Sequence, residues 1–312
     1  MKTAVLLLQV GTPDSPSKPD VRKYLRQFLM DARVMDMPWI RRQLLVNGII
    51  VPFRTPKSAK LYREIWTDKG SPLLHYGIGV QQKLQNLLGK DFMVALGMRY
   101  QNPSIPQVMH KWEHEKPGKL IVIPLFPQYV SSSSGTAIQE TLEVLAKWNV
   151  IPETKVLAQY YQDAAFTQLW IDKGKALDIA AYDRVIFTFH GVPWRHIQKA
   201  GCSAGCQSEQ SECPTIGPQN HTCYRAQCYA NARTVMDGLN IAAEKVKVSF
   251  QSRLGRDPWL NPYTDHSLVQ MEKEGVRKVL VFSMSFTADC LETIHEMGVE
   301  NEHLFKEAGG EE

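Results

Sequence analysis

The chain reads as an α/β protein of two similar doubly wound, Rossmann-like lobes, each on a parallel four-stranded sheet. Three observations predict it. Short β-branched runs alternate with amphipathic stretches from end to end, the pattern of parallel strands joined by crossover helices. At 312 residues the chain is long enough for two such lobes. Its 44% hydrophobic and 22% charged residues are ordinary for a globular protein.

The expected strands are Thr3–Val10, Phe92–Arg99, Leu120–Leu125, Lys155–Tyr161, Arg184–Phe189, Val246–Gln251 and Lys278–Phe282. Between them "SIPQVMHKWEHEK", "TAIQETLEVLAKW" and "DAAFTQLWIDKGKALDIAA" space their apolar residues as helices do. The lobes join near residues 150–165, giving an N-terminal lobe over 1–160 and a C-terminal lobe over 161–312. Ligands of such folds bind outside the carboxyl ends of the strands, so residues just past each strand end matter most. "SSSSGT" at 131–136 reads as a polar turn into a helix. Residues 28–56 break the alternation, being rich in Met, Ile, Leu and Trp around Arg41 and Arg42. They form either an ordinary core helix or an apolar lip over a flat hydrophobic ligand, in contact with a membrane surface.

A net charge of +4, evenly spread, and the lack of any nucleic-acid motif exclude nucleic acid as a partner. The opening "MKTAVLLLQVGTPD" has no small-residue cleavage site and reads as a strand leaving into a turn. No apolar stretch reaches the roughly 18 residues that span a bilayer. The expected address is cytoplasmic, with peripheral contact on the inner face of the cytoplasmic membrane. A reducing compartment disfavours structural disulfides, so clustered cysteines there point to a metal or a reactive thiol.

Three constellations carry chemistry. His190 ends the run "RVIFTF" and is followed by Gly191, Val192 and Pro193, which turn the chain and leave the imidazole at the carboxyl end of the sheet. There a neutral imidazole accepts a proton near pH 7 or holds a divalent ion. A strand-end histidine in a purely structural role is the plainer alternative. After the last strand, Glu292, Glu296 and Glu300 recur every four residues, on one helix face. Local i→i+5 bonding would align them still better. They are either a solvated acidic face or a row that shares cations and protons.

The third constellation is Cys202, Cys206, Cys213, Cys223 and Cys228, separated by three, six, nine and four residues. These gaps do not match the paired C-x₂-C spacing of common zinc folds. Four thiolates from one irregular loop suit a [2Fe–2S] centre, with zinc or unligated thiols as the alternatives. Cys290 is expected to pack at the start of the acidic helix.

Eight strings spread over the chain, "LLLQVGTPDSP", "YREIWTDKGSPLL", "MRYQNPSI", "PLFPQY", "FTFHGVP", "CYRAQCYANAR", "FQSRLGRDPWL" and "FTADCLET", resemble the ferrochelatase family in family order. The resemblance implies two doubly wound lobes with a cleft between them. It also implies insertion of Fe²⁺ into protoporphyrin IX with release of two protons, the last step of haem b synthesis. By position, His190 and Glu292 match the family's catalytic pair, and Glu296 and Glu300 continue the iron substrate path along a widened helix. His190 then takes the pyrrole protons or hands over iron, and the carboxylates serve the opposing function. Arg54, Lys57, Tyr62 and Ser71 fall where the family anchors porphyrin propionates. Val10, Phe28 and Trp259 line the macrocycle, and Arg99 and Tyr100 shape the cleft floor.

Some bacterial members hold a [2Fe–2S] cluster on an internal cysteine segment. By that likeness Cys202, Cys206, Cys213 and Cys223 are the ligands. Cys228 is left out, because the cysteine of "YRAQC" also occurs in relatives without clusters. The chain departs from the family pattern at "SMSFTADC", which lacks the usual proline and glycine before the phenylalanine. Gln9 stands where asparagine is common, and "EAGGEE" ends the chain sooner than is usual. Two other readings stay open. One is a chelatase acting on coproporphyrin or another tetrapyrrole; the other is a non-catalytic iron–sulfur or haem-binding redox sensor.

Overall fold

The computed structural model describes residues 1–201, 213, 215–253, 255 and 257–312. Two compact units divide the chain. The first comprises Met1–Phe126, Val130–Gln159 and Ala288–Leu291; the second comprises Pro127–Tyr129, Tyr160–Thr287 and Glu292–Glu312.

The first unit runs β1 (Thr3–Gly11), α1 (Lys18–Met30), α2 (Trp39–Leu45), a π-helical turn at Val46–Ile50, α3 (Val51–Ile65) and α4 (Pro72–Leu88). It continues with β2 (Phe92–Tyr100), α5 (Ile105–Glu115), β3 (Lys119–Pro124), a π-helical turn at Ser131–Gly135, α6 (Thr136–Leu145) and β4 (Glu153–Val156). The strands are parallel in the order β2-β1-β3-β4. β1 is apolar on both faces because helices cover both. Ala4, Leu6 and Leu8 pack with Ile105, Met109 and Trp112 of α5 and with Ala137 and Leu145 of α6. Val5 and Leu7 face Val94, Leu96 and Met98 of β2, with Leu74, Leu84 and Leu88 of α4 packed against them. Each buried leucine contributes about 2 kcal/mol of transfer free energy. Gly11 ends β1 at φ 117°, where a Cβ would lie 2.0 Å from the Tyr100 carbonyl oxygen. No other residue fits there.

The 28–56 segment is not a core helix. Trp39, Leu44 and Phe53 are 62%, 70% and 80% exposed, while Val46, Val51 and Thr55 turn inward. Arg42 is buried and donates Nη1 to the Met35 and Met37 carbonyls. That pins α2 to the preceding turn and leaves the large apolar side chains outside. The polar run at 131–136 does lead into a helix, as a π-helical turn continuous with α6.

The second unit runs α7 (Ala164–Lys175), a 3₁₀ turn at Ile179–Ala181, β5 (Arg184–His190), α8 (Trp194–Lys199) and α9 (Tyr224–Gly238). After a 3₁₀ turn at Ala243–Lys245 follow β6 (Val246–Gln251), α10 (Thr264–Lys273), β7 (Val279–Ser283), a π-helix at Glu292–Asn301 and α11 (Glu302–Ala308). Its sheet is parallel in the order β6-β5-β7. Among the described residues it has three strands, not the expected four, because the seven strands divide four and three. Ile186 of β5 packs with Leu268 and Met271 of α10, Val276, Val279 and Phe305 of α11.

The strand expected at Lys155–Tyr161 is the shorter β4. It is an edge strand paired only with β3. Leu157 N–H still reaches the Val122 carbonyl, but the Tyr160 N–H turns to that of Pro127. No described helix is long and apolar enough to cross a membrane.

Candidate active site

β5 ends at His190, and Gly191 donates its N–H to the Gln251 carbonyl at 2.7 Å. A Cβ at 191 would lie 2.7 Å from that oxygen, so only glycine allows the approach. The half-buried imidazole places Nδ1 2.6 Å from the Gly191 carbonyl oxygen. A carbonyl only accepts, so Nδ1 carries the proton and Nε2 of the neutral ring presents the lone pair. The Phe286 ring lies 6.2 Å away. Trp259, half-buried, bridges to Pro193 and borders Gly191.

Glu292 opens the π-helix, the i→i+5 form often found at functional sites. Glu292 and Glu296 are half-buried, and the Glu300 side chain is 54% exposed, so the row runs from interior to solvent. Glu296 is held by the end of β6. The Ser252 N–H donates to Oε1 at 2.7 Å; the Ser252 hydroxyl and the Gln251 amide donate to Oε2, the latter at 3.3 Å. Thr188 donates its hydroxyl to Gln251 Oε1 at 3.2 Å and so orients that amide. Ser252 sits at φ 68°, a strained backbone of a kind that clusters at functional sites.

Burial pushes the Glu296 pKa above the ordinary carboxylate value. The Ser252 hydrogen bond pulls it back, as does His190 whenever that ring is protonated, and the Glu292 charge pushes it up again. Glu300 faces His295 instead, with Oε1 3.7 Å from Nδ1.

In the first unit the sequence-expected residues divide into two kinds. Arg54 is half-buried and Lys57 exposed, three residues apart on α3. Tyr62 is buried edge-on against Tyr24, and buried Ser71 shares a 2.9 Å hydrogen bond with Thr12. Val10 is half-buried at the end of β1, and half-buried Phe28 packs between Tyr24 and Tyr100.

Arg99 and Tyr100, at the end of β2, converge on Asp31, which sequence reasoning missed. Arg99 Nη2 donates to Asp31 Oδ2 at 2.7 Å, the Tyr100 hydroxyl at 2.9 Å and the Thr136 hydroxyl at 2.5 Å. Arg99 also donates Nε to Thr136 and Nη1 to Glu140, at 2.7 and 3.1 Å. Beside this network lies a cavity of about 330 Å³ lined by Arg99, Tyr100 and Glu140 among others.

Of the cysteines, Cys202 and Cys206 lie outside the described residues. Cys213 and Cys223 are buried, and both are within charge reach of buried Cys228. The buried Arg225 guanidinium donates to Cys213 Sγ at 3.2 Å and lies over the Tyr229 ring. Among the described residues no three His, Cys, Asp or Glu side chains gather in a way that could hold a metal ion. Burial pushes the Cys228 thiol well above its ordinary range.

A family model described as ferrochelatase matches residues 2–312. The chain belongs to the ferrochelatase family. Among its relatives, the ferrochelatase of Legionella pneumophila (strain Corby) is 41% identical over 314 residues, covering 100% of this chain and 92% of that protein. The ferrochelatase of Coxiella burnetii (strain Dugway 5J108-111) is 41% identical over 311 residues, covering 99% of this chain and 87% of that protein.

Asp31, Ser252 and Gln251 gave no local signal beyond position. Ser252 and Gln251 fall at a strand end, where the parallel fold directs attention. Asp31 follows α1, and its partners are far along the chain. Burial alone would raise the Asp31 pKa. Donation from Thr136 and the Arg33 N–H, the Arg99 charge and the Tyr100 hydroxyl outweigh it and hold the pKa below the ordinary value. The stability Asp31 contributes is thus complete above an unfolded pKa of about 4 and is lost as pH falls through the lower folded value. Asp31→Asn is expected to cost about 2 kcal/mol at neutral pH. It should also flatten the acid-side decline in thermal unfolding midpoint; an unchanged decline would remove Asp31 from that role.

Proposed function

We propose that this chain inserts ferrous iron into protoporphyrin IX, releasing two protons, as the last step of haem b synthesis. Membership of the ferrochelatase family supports the reaction class. The observation that carries the residue assignment is that His190 pairs in register with Gln251, whose amide donates to the half-buried Glu296 at 3.3 Å.

A free-base porphyrin holds two pyrrole protons, and both leave as iron enters. The site therefore needs bases that work near neutral pH. With Nδ1 committed to the Gly191 carbonyl, Nε2 of His190 accepts a pyrrole proton, and Glu296 stabilises the imidazolium that results. Glu292, Glu296 and Glu300 lead from that base to solvent. Iron entry and release of two protons exchange equal charge, so one row of oxygens serves both ions, and carboxylates suit a divalent metal substrate. Arg54 and Lys57 supply cations for propionates, and Tyr62 and Ser71 are the proposed hydroxyl anchors. Val10, Phe28, Arg99, Tyr100 and Trp259 are the proposed porphyrin contacts, mostly flat or apolar groups that suit a macrocycle.

Anaerobic assay with ferrous iron, using protoporphyrin and coproporphyrin side by side, tests the reaction. His190→Ala and Glu292→Gln are each expected to slow insertion at least about 100-fold, with the circular dichroism of the fold retained. Full activity in both variants would defeat the assignment in favour of a non-catalytic role. Faster turnover of coproporphyrin would move the substrate.

A [2Fe–2S] cluster on Cys202, Cys206, Cys213 and Cys223 is part of the same reading. The buried thiols beside Arg225 support it. Its role is structural or redox-sensing, outside metal insertion. Protein purified without oxygen should show a reddish visible band that Cys213→Ser abolishes; a colourless zinc-containing protein would refute it.

The exposed Trp39, Ile40, Leu44, Ile49 and Phe53 support peripheral contact with the inner face of the cytoplasmic membrane. Co-sedimentation with anionic lipid vesicles should weaken when Trp39 and Phe53 become serine. No sedimentation of wild type would end the idea.

A further inference from the structure

On its β7 side, the ladder of β5 stops at Thr188–Ser283, two residues short of His190. On the other side β6 stays paired, with His190 opposite Gln251. The main-chain N–H and carbonyl of His190 thus face the side where no strand continues. Groups of this kind need partners when water is largely excluded.

Ser285, just past β7, and Tyr224, at the start of α9, meet this need. The Met284 N–H donates to the Thr188 carbonyl at 3.0 Å, a bond for which proline has no N–H. Ser285 Oγ accepts the His190 N–H at 3.0 Å. The buried Tyr224 hydroxyl donates to the His190 carbonyl oxygen at 2.8 Å and lies 3.2 Å from Ser285 Oγ. Since the phenol proton goes to the carbonyl, Ser285 donates to Tyr224. The result is a closed ring: His190 N–H to Ser285, Ser285 to Tyr224, Tyr224 to the His190 carbonyl. Within the ring each hydroxyl gives one hydrogen bond and takes one. Without the Ser285 hydroxyl there is no oxygen to close the ring.

We propose that Ser285 and Tyr224 are positioning residues for His190. They continue, through side chains, the ladder that β7 gives up, and so fix the main chain that carries the imidazole. With Nδ1 tied to Gly191, the direction of the Nε2 lone pair is then set before substrate arrives, an outer-shell role of the kind that tunes reacting histidines. This rests on the assignment of His190 as the base.

The test measures amide hydrogen exchange at His190 and steady-state iron insertion in wild type, Ser285→Ala, Tyr224→Phe and the double variant. Exchange at the His190 amide is expected to quicken about tenfold or more in each variant. The kcat should fall about tenfold, with KM for protoporphyrin within about twofold of wild type. The double variant should be no slower than the worse single, because one ring breaks only once. Unchanged exchange in Ser285→Ala, unchanged kcat, or losses that multiply in the double variant would each overturn the proposal. If Tyr224→Phe does not fold, Ser285→Ala decides alone. If wild type inserts no iron, or His190→Ala still does, the assignment of His190 falls, and the exchange rates still decide whether the ring exists.

Discussion

A carboxylate held half inside a protein beside another carboxylate must either receive hydrogen bonds or take up a proton. Glu296 is in that position, and three donors from the end of β6 answer it. Each charge-assisted hydrogen bond contributes about 1.5–3 kcal/mol. Two or three of them offset the repulsion of a neighbouring carboxylate, about 3 kcal/mol at 6 Å with an effective dielectric near 20. Other features serve this arrangement. β5 and β6 must keep their register so that Gln251 falls opposite His190. Residue 191 must lack a Cβ, and the helix after β7 must be wide enough to keep Glu292 and Glu296 on one side.

Parallel sheets gather chemistry at one edge because every strand ends there. In the second unit β5 delivers His190, β6 delivers Gln251 and Ser252, and the segment after β7 delivers Met284 and Ser285. In the first unit β1 ends at Val10 and Gly11, and β2 ends at Arg99 and Tyr100. There the end of α1 and the start of α6 also contribute, through Asp31 and Thr136. The two units thus make different use of the same topology: a histidine near hydrogen-bonded carboxylates in one, and an arginine shared between two carboxylates in the other.

What could be read from the sequence follows from range. Strand periodicity is local, and six of the seven expected runs fall on strands whose ends differ by a residue or so; only edge strand β4 is cut short. The glutamate row has a four-residue spacing and was legible, as was the use of i→i+5 bonding along it. Asp31 was not, because its partner Thr136 lies 105 residues away, and nothing in "LMDARV" signals such a contact. Ser71 and Tyr62 look like open hydroxyls in sequence, yet packing buries both. The apolar 28–56 segment was ambiguous because composition does not say which way a helix faces. The burial of Arg42 settles it, by anchoring the polar side inward.

Arg99 is the feature whose surroundings most change what its charge can do. Its Nε, Nη1 and Nη2 are all engaged, and two carboxylates, Asp31 and Glu140, stand against its single positive charge. The local sum is negative when both are ionised. Three of its five N–H donors hold the end of α1 to the start of α6, so an acid group arriving from solvent has at most two donors left to it and two carboxylates to repel it.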